Sequence, residues 1–250
     1  MGVVRLTIAY DGAPFAGWAV QAGLRTIQGE LEQALERILG RAAPLAVAGR
    51  TDAGVHAWGQ VASFELDGEP PAELARSLNA VLPDEIAVLE AVPAADGFHA
   101  RRAARSRTYC YWVVAAPVLS PFERGSALWW PGDLDRGAIE VCAGLCVGTH
   151  DFTAFTPTET EHVRFERNVL SCEWRRFPLA DARDGELLEL WIEADAFMRH
   201  MVRVLVGTML EVGRGRRPVD DFAALLDGAP RERAGDTAAA HGLYLVRVSY

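Results

Sequence analysis

Between Val3 and Val92 the hydrophobic pattern switches repeatedly from the two-residue alternation of a strand to the spacing of a helix and back. Val3 to Tyr10 alternates branched apolar and polar residues. Thr26 then stands where it can cap a helix whose apolar stripe is Ile27, Leu31, Leu35, Ile38 and Leu39, and Gly40 is placed to end it. Leu45 to Ala48 predicts a short strand. In Gln60 to Leu66, Val61, Ser63 and Glu65 alternate against Ala62, Phe64 and Leu66. A helix over about Pro71 to Leu82 and a strand over Ile86 to Val92 follow. The order β-α-β-β-α-β predicts an α+β fold built on a split β-α-β unit of ferredoxin or RRM type, with helices on one sheet face.

The second half repeats the theme. Thr108 to Val114 alternates, and Leu134 to Gly148 has helical spacing at Ile139, Cys142, Leu145 and Cys146. Val169 to Arg175 and Leu187 to Ala194 read as strands and Phe197 to Val212 as a long apolar helix. Val219 to Leu226 is a shorter helix opened by Pro218, and Leu243 to Ser249 is a closing strand. This predicts two α+β domains, residues 1–104 and 105–250, with antiparallel sheets that abut and leave a central cleft.

Composition narrows the setting. The opening segment lacks the basic flank and apolar block of a signal peptide, and no run is long enough to span a membrane, so a cytoplasmic protein is expected. Cys110, Cys142, Cys146 and Cys172 are scattered, with no Cys-x-x-Cys pair, which argues against a disulfide framework and a zinc site and for small buried residues. The net charge of -9 runs against nucleic-acid binding if taken as a bulk property. Its distribution differs. All 25 basic residues are arginine, and they cluster at Arg101, Arg102, Arg105 and Arg107, at Arg199 and Arg203, and at Arg214, Arg216 and Arg217. Acidic residues gather elsewhere, in Asp133–Glu140, Glu159–Glu166, Asp181–Glu193 and Asp220–Asp227. A basic cleft on an acidic body is therefore feasible, although an all-arginine choice also follows from genomic base composition.

The segment Gly49 to His56 places a carboxylate, Asp52, in a loop with two glycines, a neighbouring arginine and a neighbouring hydroxyl, just before a strand. Loops held by a rigid sheet commonly carry reactive groups, and glycines permit close approach of a ligand. Read from the residues alone, the segment is more simply a turn in which Asp52 bonds its own backbone.

GRTDAGVHA, from Gly49 to Ala57, resembles the active-site signature of TruA-type tRNA pseudouridine synthases. The same resemblance runs in order through Tyr10, Asp11, Gly12, Gly17 and Trp18, through FHAR at Phe98–Arg101 and SRTYCY at Ser106–Tyr111, and through DFTAF at Asp151–Phe155. It ends with the long tract Ala196–Gly215 and with GLYL at Gly242–Leu245.

What the resemblance implies is an isomerase that needs no cofactor and no metal. It would convert uridine to pseudouridine in the anticodon stem-loop of several tRNAs, as a homodimer whose two subunits both touch the RNA. Asp52 would attack the ribose or take a proton from it, Tyr109 would stack on the target uracil, and Arg203 would be the basic partner of Asp52. Arg50 would help extrude the nucleotide, a step that costs a few kcal/mol of unstacking. Leu245 could line the uracil pocket. Arg101, Arg105 and Arg107 beside Tyr109 would hold phosphates, as would Arg102. Each has a plainer reading: Tyr109 and Leu245 as core residues of strands, Arg203 as a surface arginine. Against the last, Arg203 lies between Val202 and Val204 on an apolar helix, where an unpaired charge is costly. His56 and His200 have no second ligand at metal spacing and read as structural or RNA-facing.

The chain departs from the family pattern after Gly17 and Trp18, where Ala19, Val20 and Gln21 replace a glutamine followed by a basic residue. Two other classes compete with the synthase. A non-catalytic RNA-binding protein on the same fold is opposed by the joint retention of Asp52, Tyr109 and Arg203. A hydrolase using Asp52 as nucleophile would need further carboxylates for magnesium that the segment does not supply.

Overall fold

A computed structural model describes residues 2–159, 163–181 and 183–250, so the acidic runs Glu159–Glu166 and Asp181–Glu193 fall partly outside the described residues. The protein is α+β. It forms two compact units, Met1–Arg105 with Tyr244–Tyr250, and Ser106–Leu243.

The first unit begins with strand β1 (Gly2–Tyr10), helix α1 (Ile27–Leu39), the short strand β2 (Ala46–Val47) and the long strand β3 (His56–Leu66). Helix α2 (Leu74–Asn79) and strand β4 (Ile86–Ala94) follow. The Thr26 side chain accepts from the amide of Gly29, and Gly40, at φ 68°, turns the chain out of α1 while donating to the Glu36 carbonyl. Both ends of this helix are thus set by adjacent residues. β1 is antiparallel to both β3 and β4, while β2 takes the other edge of β3 at Ser63 and Ala62. Val4, Leu6 and Ile8 form the inward row of β1, opposite Phe64, Ala62 and Gln60 of β3. Ile27, Leu31 and Leu35 of α1 and Leu74 and Leu78 of α2 are buried with them, each such side chain contributing about 1.5–3 kcal/mol relative to exposure. α2 is shorter than the sequence reading, and β3 starts four residues earlier, at His56.

The second unit contains β5 (Ser106–Ala115), β6 (Leu128–Trp130), α3 (Arg136–Leu145), β7 (Gly148–Asp151), β8 (Glu166–Pro178) and β9 (Glu186–Ala194). Helices α4 (Met201–Gly213) and α5 (Val219–Leu225) complete it. Its strands run β5, β9, β8, β7 with antiparallel neighbours, and β6 lies parallel to the end of β5. α4 is the central helix: Val202, Val204, Leu205, Val206, Met209 and Leu210 are all buried. Phe152, Phe155 and Phe222 pack ring against ring at 5.9 and 5.8 Å. The spacing of Phe197 and Met198 predicts helix, yet α4 begins only at Met201. Asp195 explains the delay. Its carboxylate accepts from the amides of Asn168 and Ala196, holding the chain in a turn that ends at His200 in the left-handed region, φ 61°.

The closing strand β10 (Leu243–Ser249) corrects the expected division of the chain, which assigned it to the second domain. It pairs parallel with the start of β3, Tyr244 opposite His56 and Leu245 opposite Ala57. Gly59 makes this approach possible, since a Cβ there would lie 2.4 Å from the Val246 carbonyl oxygen. Tyr250 then donates its hydroxyl to the Ala100 carbonyl, and Arg105 its amide to the Ser249 carbonyl.

Candidate active site

Asp52 is half-buried, in the loop that leads into β3. The loop turns tightly there: the Val55 amide donates to the Asp52 carbonyl at 3.2 Å, and Gly54 takes φ 78°, a conformation that suits glycine. Two other glycines bring the Tyr10–Trp18 segment against this turn. A Cβ on Gly12 would stand 2.0 Å from the Val55 carbonyl oxygen. One on Gly17 would stand 3.0–3.2 Å from backbone atoms of Thr51, Asp52 and Ala53. The Trp18 amide completes the contact by donating to the Thr51 carbonyl at 3.0 Å. Despite its departure at residues 19–21, the Gly17–Trp18 turn therefore braces the backbone on both sides of Asp52.

Below the loop is a buried polar cluster. Tyr10 Oη and Thr51 Oγ1 are 2.8 Å apart, and the Gln60 amide reaches both Tyr10 Oη at 3.3 Å and the Gly49 carbonyl at 2.7 Å. Burial pushes the Tyr10 phenol up to about 12, against the opposing hydrogen bonds from Thr51 and Gln60, so it stays neutral. His56 sits at the start of β3 with Nδ1 3.2 Å from the Gly12 amide and 3.0 Å from the Asp11 carboxylate, its ring stacked on Tyr244 at 4.7 Å. A bare Nδ1 accepts from Gly12, and a protonated one donates to Asp11. Of the other residues singled out in this unit, Arg50, Arg101 and Arg105 are exposed, and Leu245 is fully buried in β10 opposite Ala57.

In the second unit, Tyr109 and Arg107 lie on β5. The Tyr109 ring is buried edge-on against Phe197 at 5.0 Å and 85°. Arg107 Nη1 donates to the Asp195 carbonyl at 2.9 Å, which ties β5 to the turn that holds Phe197. Arg203, in the first turn of α4, donates from Nε to the Ala238 carbonyl at 2.8 Å. The hydroxyl of Tyr111 donates to the next carbonyl, that of Ala239, at 2.7 Å. Burial raises the Tyr111 phenol well above its ordinary range, and the positive charge of Arg203 acts in the opposite direction.

A family model described as tRNA pseudouridine synthase matches residues 6–101 and 143–250, which include both the Asp52 loop and α4. The chain belongs to this family. Relatives named tRNA pseudouridine synthase A agree with it over nearly its whole length. That of Frankia casuarinae is 45% identical over 99% of this chain and 89% of its own. That of Bacillus pumilus is 40% identical over 99% and 98%, and that of Chloroflexus aurantiacus 42% over 100% and 89%. This synthase thus matches its relatives across both units.

Sequence reasoning named the pieces around Tyr10 and Trp18 but gave their turn little role, and it did not single out Gln60. One signal was available. Gln60 continues the inward row of Ala62, Phe64 and Leu66, and a polar side chain at an inward strand position needs hydrogen-bond partners. Among the described residues, no group of three or more His, Cys, Asp or Glu side chains is placed to hold a metal ion, and no helix is long and apolar enough to cross a membrane.

Proposed function

We propose that this tRNA pseudouridine synthase acts on uridines of the anticodon stem-loop, with Asp52 as its catalytic carboxylate. The observation that carries the reading is the bracing of the Asp52 turn by Gly12, Gly17 and Trp18, which presents one carboxylate on a fixed backbone. In the reaction the N1–C1′ bond of uridine breaks and a C5–C1′ bond forms, while C5 loses a proton and N1 gains one. The Asp52 carboxylate attacks the ribose or removes a ribose proton while the base is detached.

In this reading the two units are split β-α-β domains, and Tyr109 and Arg203 act in the same reaction as Asp52. Tyr109 stacks on the uracil and can relay a proton; its buried ring, fixed by Phe197, supports a stationary platform. Arg203 is the basic partner of the Asp52 carboxylate. Arg50, exposed and two residues before Asp52, aids extrusion of the nucleotide, and Leu245 lines the uracil pocket from the start of β10. Arg101, Arg105 and Arg107 contact phosphates, and the enzyme works in the cytoplasm as a homodimer without a cofactor.

The test is site-resolved mapping of pseudouridine in tRNA from cells lacking the gene, complemented with wild type or with Asp52→Asn. The variant is expected to bind tRNA and leave the anticodon-arm uridines unmodified. Restored pseudouridine with Asp52→Asn overturns the catalytic assignment, and product confined to another arm overturns the substrate site.

A further inference from the structure

Gln60 is completely buried, and its amide uses both donor hydrogens and its oxygen in hydrogen bonds. Its Nε2 donates to the Gly49 carbonyl and to Tyr10 Oη, and its Oε1 accepts from the Val61 amide at 3.1 Å. Those partners fix the amide's orientation, because the flipped form would set oxygen against the Gly49 carbonyl. Tyr10 Oη is also bonded to Thr51 Oγ1 at 2.8 Å, giving a chain Gln60 to Tyr10 to Thr51.

This chain holds the Asp52 loop at two points on its N-terminal side. Gly49 is caught by its carbonyl three residues before Asp52, and Thr51 by its side chain one residue before it. Thr51 is held a second time through its carbonyl by Trp18. Tyr10 has no freedom of its own: it ends the inward row of β1, and its ring packs against Trp18 at 6.1 Å. The chain therefore connects the rigid interior of the sheet to the peptide that carries Asp52.

We infer that Tyr10 and Gln60 are positioning residues for Asp52, acting through Thr51 and Gly49 to hold its carboxylate at the reacting position. The inference rests on the reading of Asp52 as catalytic. A displacement of about 1 Å at a catalytic group can lower a rate by about a hundredfold. Loosening this chain should therefore reduce the chemical step and leave the RNA-binding surface unaffected.

The experiment measures single-turnover pseudouridine formation at saturating tRNA, tRNA affinity, and thermal unfolding, for Tyr10→Phe, Gln60→Met, Thr51→Val, Thr51→Ser and Asp52→Asn. Tyr10→Phe, Gln60→Met and Thr51→Val are expected to lower the rate constant by about tenfold to a hundredfold at temperatures where they are fully folded, with affinity unchanged. Thr51→Ser, which restores the hydroxyl, is expected to recover the wild-type rate. Wild-type rates in the folded variants beside an inactive Asp52→Asn overturn the positioning role alone, whereas an active Asp52→Asn overturns the reading beneath it. If a Tyr10 or Gln60 variant fails to fold, the Thr51 pair decides. Equal rates for Val and Ser mean that the hydroxyl positions nothing.

Discussion

Arg203 and Ala238 bind each other twice: the Arg203 Nε donates to the Ala238 carbonyl at 2.8 Å, and the Ala238 amide donates to the Arg203 carbonyl at 3.1 Å. One helical residue thus grips one loop residue with both its side chain and its backbone. Removing the side chain leaves the Ala238 carbonyl without this donor. Arg203→Ala is expected to cost about 1.5–3 kcal/mol in urea unfolding and to lose pseudouridine formation. Arg203→Lys keeps the charge but has no donor at the Nε position, so it should be destabilised as well. A lysine variant of wild-type stability would show that the clamp contributes nothing.

Glycine positions separate close approach from mere flexibility. A Cβ at Gly207 of α4 would lie 1.9 Å from the Asp236 carbonyl oxygen, and one at Gly12 lies 2.0 Å from that of Val55. Neither neighbour can rotate away, because each is backbone. Gly207→Ala and Gly12→Ala should each destabilise by about 1–3 kcal/mol or more, and Gly12→Ala should also impair turnover by moving the Asp52 turn. Gly144, exposed on α3, has nothing within 4 Å of its would-be Cβ. Gly144→Ala should therefore stabilise the protein by about 0.4–1 kcal/mol, and chemical denaturation of the three variants checks the contrast.

Alkaline pH should unfold the protein partly through Tyr10. Its pKa rises from an ordinary 10.0 to about 12 in the fold, so the native state favours the neutral phenol. That contribution is complete below the unfolded value and disappears as pH climbs from 10.0 toward about 12. Unfolding free energy measured across this window should fall less steeply for Tyr10→Phe than for wild type. Identical slopes would remove Tyr10 from the alkaline transition.

The four cysteines are all buried, and burial pushes the Cys142 thiol up to about 12 and those of Cys110 and Cys146 above their ordinary value too. Thiolate is the reactive form, so an aromatic disulfide reagent at neutral pH should label none of them quickly in the native protein and all four in urea. Fast native labelling of any of these three would contradict the burial.

Ionic strength tests the arginines. With Arg101 and Arg105 on phosphates, tRNA affinity should fall steeply with salt, and Arg101→Ala should reduce the logarithmic slope by about 1. A flat response in the wild type would end that assignment.

Strands β1, β3 and β9 and helix α1 were legible in the sequence because their causes are local. Alternation sets a strand's faces, and Thr26 and Gly40 cap α1 through bonds to Gly29 and Glu36, a few residues away. The motif around Asp52 was legible for the same reason, being contiguous. What the tertiary structure decided depends on partners distant in the chain. Nothing within Leu243–Ser249 specifies β3 as its neighbour; that choice needs Gly59, far back in the sequence, to admit the second backbone. The late start of α4 depends on Asp195 meeting Asn168 across a strand pair. The chain from Gln60 through Tyr10 to Thr51 likewise joins residues up to 50 positions apart, so pattern alone shows a polar side chain facing inward and not the loop it holds. Hydrophobic period is a property of neighbouring residues, whereas a buried hydrogen bond exists only once the sheet has brought its two ends together.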